Sequence, residues 1–138
     1  NKRNILKHIQ NLKLNKRIKL LDNVNDKLKE KYLKKSSIFL MCSTSRAESF
    51  GISILEAISN SLPLIISNVK GSGMNDMIIN KFNGYKFKNF SSEDCAKKII
   101  KLCKTENKLN LFSKNSLKLF NDKFNKKKIE AKLNRIYN

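Results

Sequence analysis

Residues 38–67 read Ile38-Phe-Leu-Met-Cys42-Ser-Thr-Ser-Arg-Ala-Glu48-Ser-Phe-Gly51-Ile-Ser-Ile-Leu-Glu56-Ala-Ile-Ser-Asn-Ser-Leu-Pro63-Leu-Ile-Ile-Ser67. Two short unbroken apolar runs, Ile38 to Cys42 and Leu64 to Ile66, bracket a polar loop and a helix-length segment. Unbroken runs of this length suit strands covered on both faces. Between them, Gly51 to about Asn60 reads as a helix, and Pro63 stops it. The unit is therefore strand, loop, helix, strand, which implies a parallel pair with a crossover helix.

The same alternation extends outward. Ile5, Ile9 and Leu12 recur at helical spacing, so residues 3–13 form an amphipathic helix. Arg17 to Leu21 reads as a short strand. Asn25 caps a helix running to about Lys35, with Leu28, Tyr32 and Leu33 on its inner side. Beyond residue 67, Asn68 to Gly73 is a loop opening a short helix near Met74 to Asn80. Asn83-Gly84 is a turn signal, and Tyr85-Lys86-Phe87 a small strand. Ser91 with Asp94 resembles a capping box for a helix carrying Ile99, Ile100, Leu102 and Cys103. Two further helical stretches, 107–122 and 126–137, end the chain. The fold class is α/β, a Rossmann-like parallel sheet flanked by helices, with C-terminal helices.

Ligands of such sheets bind beyond the carboxyl ends of the strands. The loops at those ends, Ser43 to Gly51 and Asn68 to Gly73, are polar and contain glycine. Glu48 stands at the mouth of the first. Gly51 admits close backbone approach. The N–H groups of Gly51, Ile52 and Ser53 open from a helix N-terminus, a ready anion site. Glu56 shares their face. A diphosphate at the helix end, with carboxylates accepting from sugar and ribose hydroxyls, suits a sugar diphosphonucleoside. The bland alternative is that Glu48 only complements the helix dipole and Glu56 is a solvated helix residue.

The ordered set Glu48-Ser-Phe-Gly-Ile-Ser-Ile-Leu-Glu56, followed by Leu62-Pro63-Leu-Ile-Ile, resembles the signature of family-four retaining glycosyltransferases, also called glycosyltransferase group 1. Lys70-Gly71-Ser72-Gly73-Met74 and Asn83-Gly84-Tyr85 resemble the family's Gly-rich loop and Asn-Gly turn, in the variant of O-antigen and capsule enzymes. The resemblance covers residues 17–138. It implies a GT-B architecture of two Rossmann-like domains facing across a cleft, with retention of anomeric configuration. Residues 1–138 would be the C-terminal, nucleotide-sugar-binding domain, its start truncated and its N-terminal acceptor domain absent. Glu48 would be the catalytic-site carboxylate contacting the donor sugar. Ser49, Phe50, Gly51 and Ile52 would line the donor, Glu56 would hold the ribose, and Gly71, Ser72 and Gly73 would form a possible second loop. The substrate is a nucleotide sugar, the acceptor a saccharide or a lipid-linked one, and no metal or other cofactor is expected. Two departures stand out. Ser61 replaces a usual glycine after the helix, where a left-handed residue is favoured. Asp22 replaces a usual glycine beside the base.

Composition bounds the rest. The 138 residues carry a formal net charge of +19, and Lys supplies 26 of the 30 basic residues. Base-reading proteins favour Arg, so the four arginines argue against a specific nucleic-acid partner. No zinc-finger spacing, RNP-like aromatic motif or basic zipper is present. Richness in Lys, Asn and Ile is what an A/T-rich genome encodes, so most of the charge reads as drift on solvated faces. The functional alternative is attraction to polyanions, such as an anionic membrane surface if the acceptor is lipid-linked. No apolar run nears the ~18 residues of a membrane span. The first residue is Asn1, as in a fragment. Cys42, Cys95 and Cys103 form no CxxC pair, which suits a reducing, cytoplasmic setting, and the last two are expected to face the core. His8, the only histidine, lies in a Lys-rich helix, so no histidine base is expected from this chain. A nucleotide-sugar epimerase of the same architecture is the runner-up activity.

Overall fold

The computed structural model describes residues 2–45 and 51–124. The chain divides into two compact units, residues 1–31 and 32–138, with the division inside a helix. The first unit contains α1 (Lys2–Asn11) and the start of α2 (Asp26–Lys35). Asn25 caps α2, its side-chain oxygen accepting from the Leu28 N–H at 2.9 Å. The strand expected over Arg17 to Leu21 is not formed. The N–H groups of Arg17 and Ile18 bond back to the Leu14 carbonyl at 2.8 and 2.9 Å. Helical-turn bonding has taken the donors that a ladder would need, and Ile18 and Leu21 remain exposed.

The second unit is built on a parallel three-stranded sheet in the order β1 (Phe39–Met41), β2 (Leu64–Asn68), β3 (Gly84–Lys88). Leu40 faces Ile65 across one pair, and Ile65 faces Tyr85 across the next. Period-two alternation gives the sheet two cores. On one face Leu64 and Ile66 pack with Ile54, Ala57 and Ile58 of α3 (Ile52–Ser59) and with Met74 and Met77. On the other, Ile65, Tyr85 and Phe87 pack with Cys95 and Leu102 of α4 (Ser92–Cys103) and with Phe112 of α5 (Glu106–Lys123). The β2 strand is covered on both faces, as its unbroken apolar run predicts. The β1 run is not. It has one partner among the described residues, and Leu40 is 43% exposed because α4 lies over β2 and β3.

The helix expected near Met74 to Asn80 is a 3₁₀ turn, Gly73–Met77. Asn83 explains its shortness. Its buried side chain donates to the Met77 carbonyl at 3.1 Å and accepts from the Ile79 N–H at 2.8 Å. Those are groups that a longer helix would use itself. The Ser91 hydroxyl accepts from the Asp94 N–H at 3.1 Å, as a cap should. The reciprocal half of the box is missing. The Asp94 carboxylate accepts instead from the Lys88 N–H at 2.7 Å, and that bond, with Lys98 behind it, holds its pKa below the ordinary carboxylate range. Cys95 is buried, but Cys103 is exposed. Eight residues of helix rotate by about 80° beyond two full turns, which swings Cys103 off the core face. The stretch 126–137 lies outside the described residues.

Ser61 has a φ of +61°, the left-handed geometry that its position requires. Its N–H bonds to the Ile58 carbonyl and that of Leu62 to the Ala57 carbonyl, both at 3.0 Å, which closes a Schellman motif on α3. Hydroxyls of Ser113 and Ser116 on α5 hold the Ser61 and Leu62 carbonyls at 2.6 and 2.8 Å. Ser61→Gly keeps every one of those backbone bonds and removes the strain on Cβ. We expect a gain of about 0.5–1 kcal/mol, the relief of ~1–2 kcal/mol being partly offset by a more flexible unfolded chain. Urea denaturation measures it; an unchanged or lower midpoint would show that Ser61 is unstrained.

Candidate nucleotide-sugar site

The site lies where β1 and β2 end. Glu48, Ser49 and Phe50 lie outside the described residues, so the described part begins at Gly51. Gly51 is the N-cap of α3, with φ 72° and ψ 50°. A Cβ there would meet Ile54 Cδ1 at 3.2 Å and Met74 Cγ at 3.5 Å. The left-handed backbone and the close neighbours both call for glycine. Its carbonyl accepts from the Ile54 and Leu55 N–H groups at 2.8 and 3.0 Å. The N–H groups of Ile52 and Ser53 precede these first intrahelical bonds and point out of the helix end. Among the described residues no side-chain cap hydrogen bond is made at this end of the helix.

Helical geometry then orders the face. Ile54, Ala57 and Ile58 are buried against the sheet. Ile52 is 65% exposed, an apolar side chain left open at the helix mouth. Ser53 and Glu56 are half-buried. Glu56 lies three and four residues after Ser53 and Ile52, so the three share one flank of α3. At the far end of the helix the Glu56 carbonyl takes the Ser59 hydroxyl at 2.8 Å and the Asn60 amide at 2.9 Å.

The second loop is brought up to this helix by Met74, which packs beside Gly51. Gly71 is exposed with φ 74°. Ser72 is buried and its hydroxyl accepts from the Met74 N–H at 3.4 Å, so it caps the 3₁₀ turn that Gly73 begins. The two strand ends are tied together by the buried Ser67 hydroxyl, which donates to the Ser43 carbonyl. Lys86 carries no sequence signal that marks it for the site. It stands at the alternating position of β3 and donates to the Asn75 carbonyl at 3.3 Å, bracing the second loop from behind. Burial pushes its pKa down, and the charge of Asp76 pulls it partly back. Asp22, the other departure, pairs with Lys2 at 3.1 Å within the first unit. Among the described residues no group of three or more His, Cys, Asp and Glu could hold a metal ion. No described helix is long and apolar enough to cross a membrane.

The profile of the family Glycosyl transferases group 1 matches residues 1–119. The chain belongs to the glycosyltransferase group 1 family. No curated protein matches significantly. Among solved structures, sucrose-phosphate synthase from Thermosynechococcus elongatus is similar over 98% of this chain and 33% of its own, with 20% identity and a TM-score of 0.82. HepE of Anabaena, in complex with UDP, is similar over 98% of this chain and 36% of its own, with 19% identity and a TM-score of 0.85. A mutant of TarM from S. aureus, in complex with UDP among other ligands, is similar over 99% and 27%, with 24% identity and a TM-score of 0.79. These likenesses show the Rossmann-like GT-B fold. The chain spans about a third or less of the length of these relatives.

Proposed function

We propose that this chain is the donor-binding, C-terminal part of a retaining glycosyltransferase that builds surface polysaccharide. The observation that carries the reading is the N-terminus of α3, which begins at a left-handed glycine, Gly51. Ile52, Ser53 and Glu56 lie on one flank there, at the carboxyl ends of a parallel sheet. A diphosphate on the Gly51 to Ser53 N–H groups meets the positive end of the helix dipole. Glu56 then accepts from the ribose, and Glu48, by resemblance, contacts the sugar. In this reading the helix end faces the diphosphate and no metal is needed. HepE was crystallised with UDP and with UDP-glucose, and TarM with UDP. Uridine diphosphate is therefore the donor nucleotide we assign. The surface-glycan role rests on the Gly71-Ser72-Gly73 variant of the second loop.

The chemistry needs a second domain to bring the acceptor to the donor. Proximity and orientation supply much of such a rate, on the order of 7–11 kcal/mol of barrier in well-oriented reactions. The purified chain is therefore expected to bind UDP in a calorimetric titration and to transfer no sugar to a defined acceptor, read by product mass. Absence of UDP binding refutes the donor site; robust transfer refutes the need for a second domain.

A further inference from the structure

The carboxyl ends of β1 and β2 also border a space on the opposite face of the sheet, under α4. Cys42, Thr44, Ser67, Phe87, Asn89 and Cys95 help to line this cavity of about 410 Å3. Cys42 follows β1 directly and is exposed; Cys95 lies in the first turn of α4 and is 8% exposed. Both thiols line this one cavity, and Cys42 is close enough to Cys95 to add to the upward push on its thiol. The surrounding backbone is already held together. The Ser43 carbonyl takes the Ser67 hydroxyl, and the Thr44 carbonyl takes the Asn89 amide at 3.4 Å. The exit of β1 is thereby fastened to β2 and to the loop leading into α4. Cys103, the third cysteine, is exposed two turns further along α4 and does not line the cavity.

We propose that Cys42 and Cys95 are a reversible disulfide site, closed by a small-molecule disulfide as oxidant. Such a pair closes readily only when the two side chains already converge, with Cβ atoms roughly 4 Å apart. Roles divide by exposure. Burial pushes the Cys95 thiol up and the neighbouring Cys42 adds to the effect, so Cys95 stays protonated while the open Cys42 meets the oxidant. The Cys42 thiolate attacks the small disulfide RSSR. One S–S bond breaks, a mixed S–S bond forms at Cys42, and RS⁻ leaves. Cys95 then gives its proton to solvent and attacks the Cys42 sulfur, and the second RS⁻ leaves. Two protein thiols are oxidised, and one RSSR is reduced to two RSH. The product ties the end of β1, from which the loop to Gly51 departs, to α4.

The test treats the whole native chain with oxidised glutathione and reads intact mass and peptide maps. The expected product has lost two hydrogens and yields a peptide joining Cys42 to Cys95, reversed by dithiothreitol. Cys103→Ser keeps the product, and Cys42→Ser abolishes it. The same treatment in urea loses the preference for this pair, which ties selectivity to the fold without depending on a Cys95 variant that folds. A lasting glutathione adduct on Cys42 with Cys95 still alkylatable overturns the proposal. So does a cross-link to Cys103, or a preference unchanged by urea. The readout is the bond itself, so the result is independent of the donor assignment.

Discussion

Gly84→Ala is expected to destabilise the fold by about 3 kcal/mol or more, at the upper end of what overpacking costs. Gly84 opens β3 opposite Leu64, and the Leu64 N–H is already bonded to the Asn83 carbonyl at 2.9 Å. A Cβ at Gly84 would fall well inside contact distance of the Leu64 carbonyl oxygen, 2.8 Å from its carbon and 2.9 Å from Ile78 Cδ1. A side chain can rotate away, but the offending atoms here are mostly backbone of the central strand. Relief therefore means parting β2 from β3, which breaks the ladder from Leu64 to Asn68 and disturbs both cores. For a domain of this size the loss lowers the melting temperature by about 10 °C or more. Thermal and urea denaturation of the variant decide the matter. A melting temperature within a degree or two of wild type would mean that β3 does not approach β2 as closely as this.

The same glycine shows where sequence reading stops. Asn83-Gly84 carries a turn signal, and a turn explains the pair without any reference to Leu64. The actual reasons are an amide that plugs two backbone groups four and six residues back, and, at long range, the Leu64 backbone that needs room beside Gly84. Local signals serve well elsewhere. The Asn25 cap, the Pro63 stop and the buried run of β2 each depend on neighbours in sequence, and each is where its residues place it. The misreadings depend on partners. Arg17 to Leu21 has apolar spacing fit for a strand, but a strand needs a ladder, and the Leu14 carbonyl takes its donors first. Leu40 belongs to an apolar run, yet only the position of α4 decides whether its outer face is covered. At the site, the shared flank of Ile52, Ser53 and Glu56 follows from helix geometry and is legible in the sequence, whereas the left-handed backbone of Gly51 is not, since a helix N-cap is ordinarily extended. Ser72 reads as part of a possible second donor loop; its hydroxyl also caps the 3₁₀ turn that follows, a role the sequence does not signal.

Glu56→Gln is expected to weaken binding of both UDP and a UDP-sugar, roughly tenfold to a hundredfold. That range corresponds to the ~1.5–3 kcal/mol of a hydrogen bond to a charged group. Glu56 shares the flank of α3 with the N–H groups assigned above to the diphosphate, so on that reading a ribose attached to it meets Glu56 whether or not a sugar follows. Glu48, by resemblance, meets only the sugar. Glu48→Gln should therefore weaken the UDP-sugar to a similar degree and leave UDP nearly unchanged. Loss of a negative charge beside the diphosphate can even strengthen bare UDP slightly, since the anion then sees the helix end without a competing carboxylate. Calorimetric titration of UDP and UDP-glucose into wild type and both variants separates the roles, with thermal melts confirming that each variant is folded. The pattern that matters is the difference between ligands, because a general disturbance of α3 would weaken both ligands in both variants alike. If neither substitution changes either affinity, the two carboxylates complement the helix end and the surface, and the donor lies elsewhere.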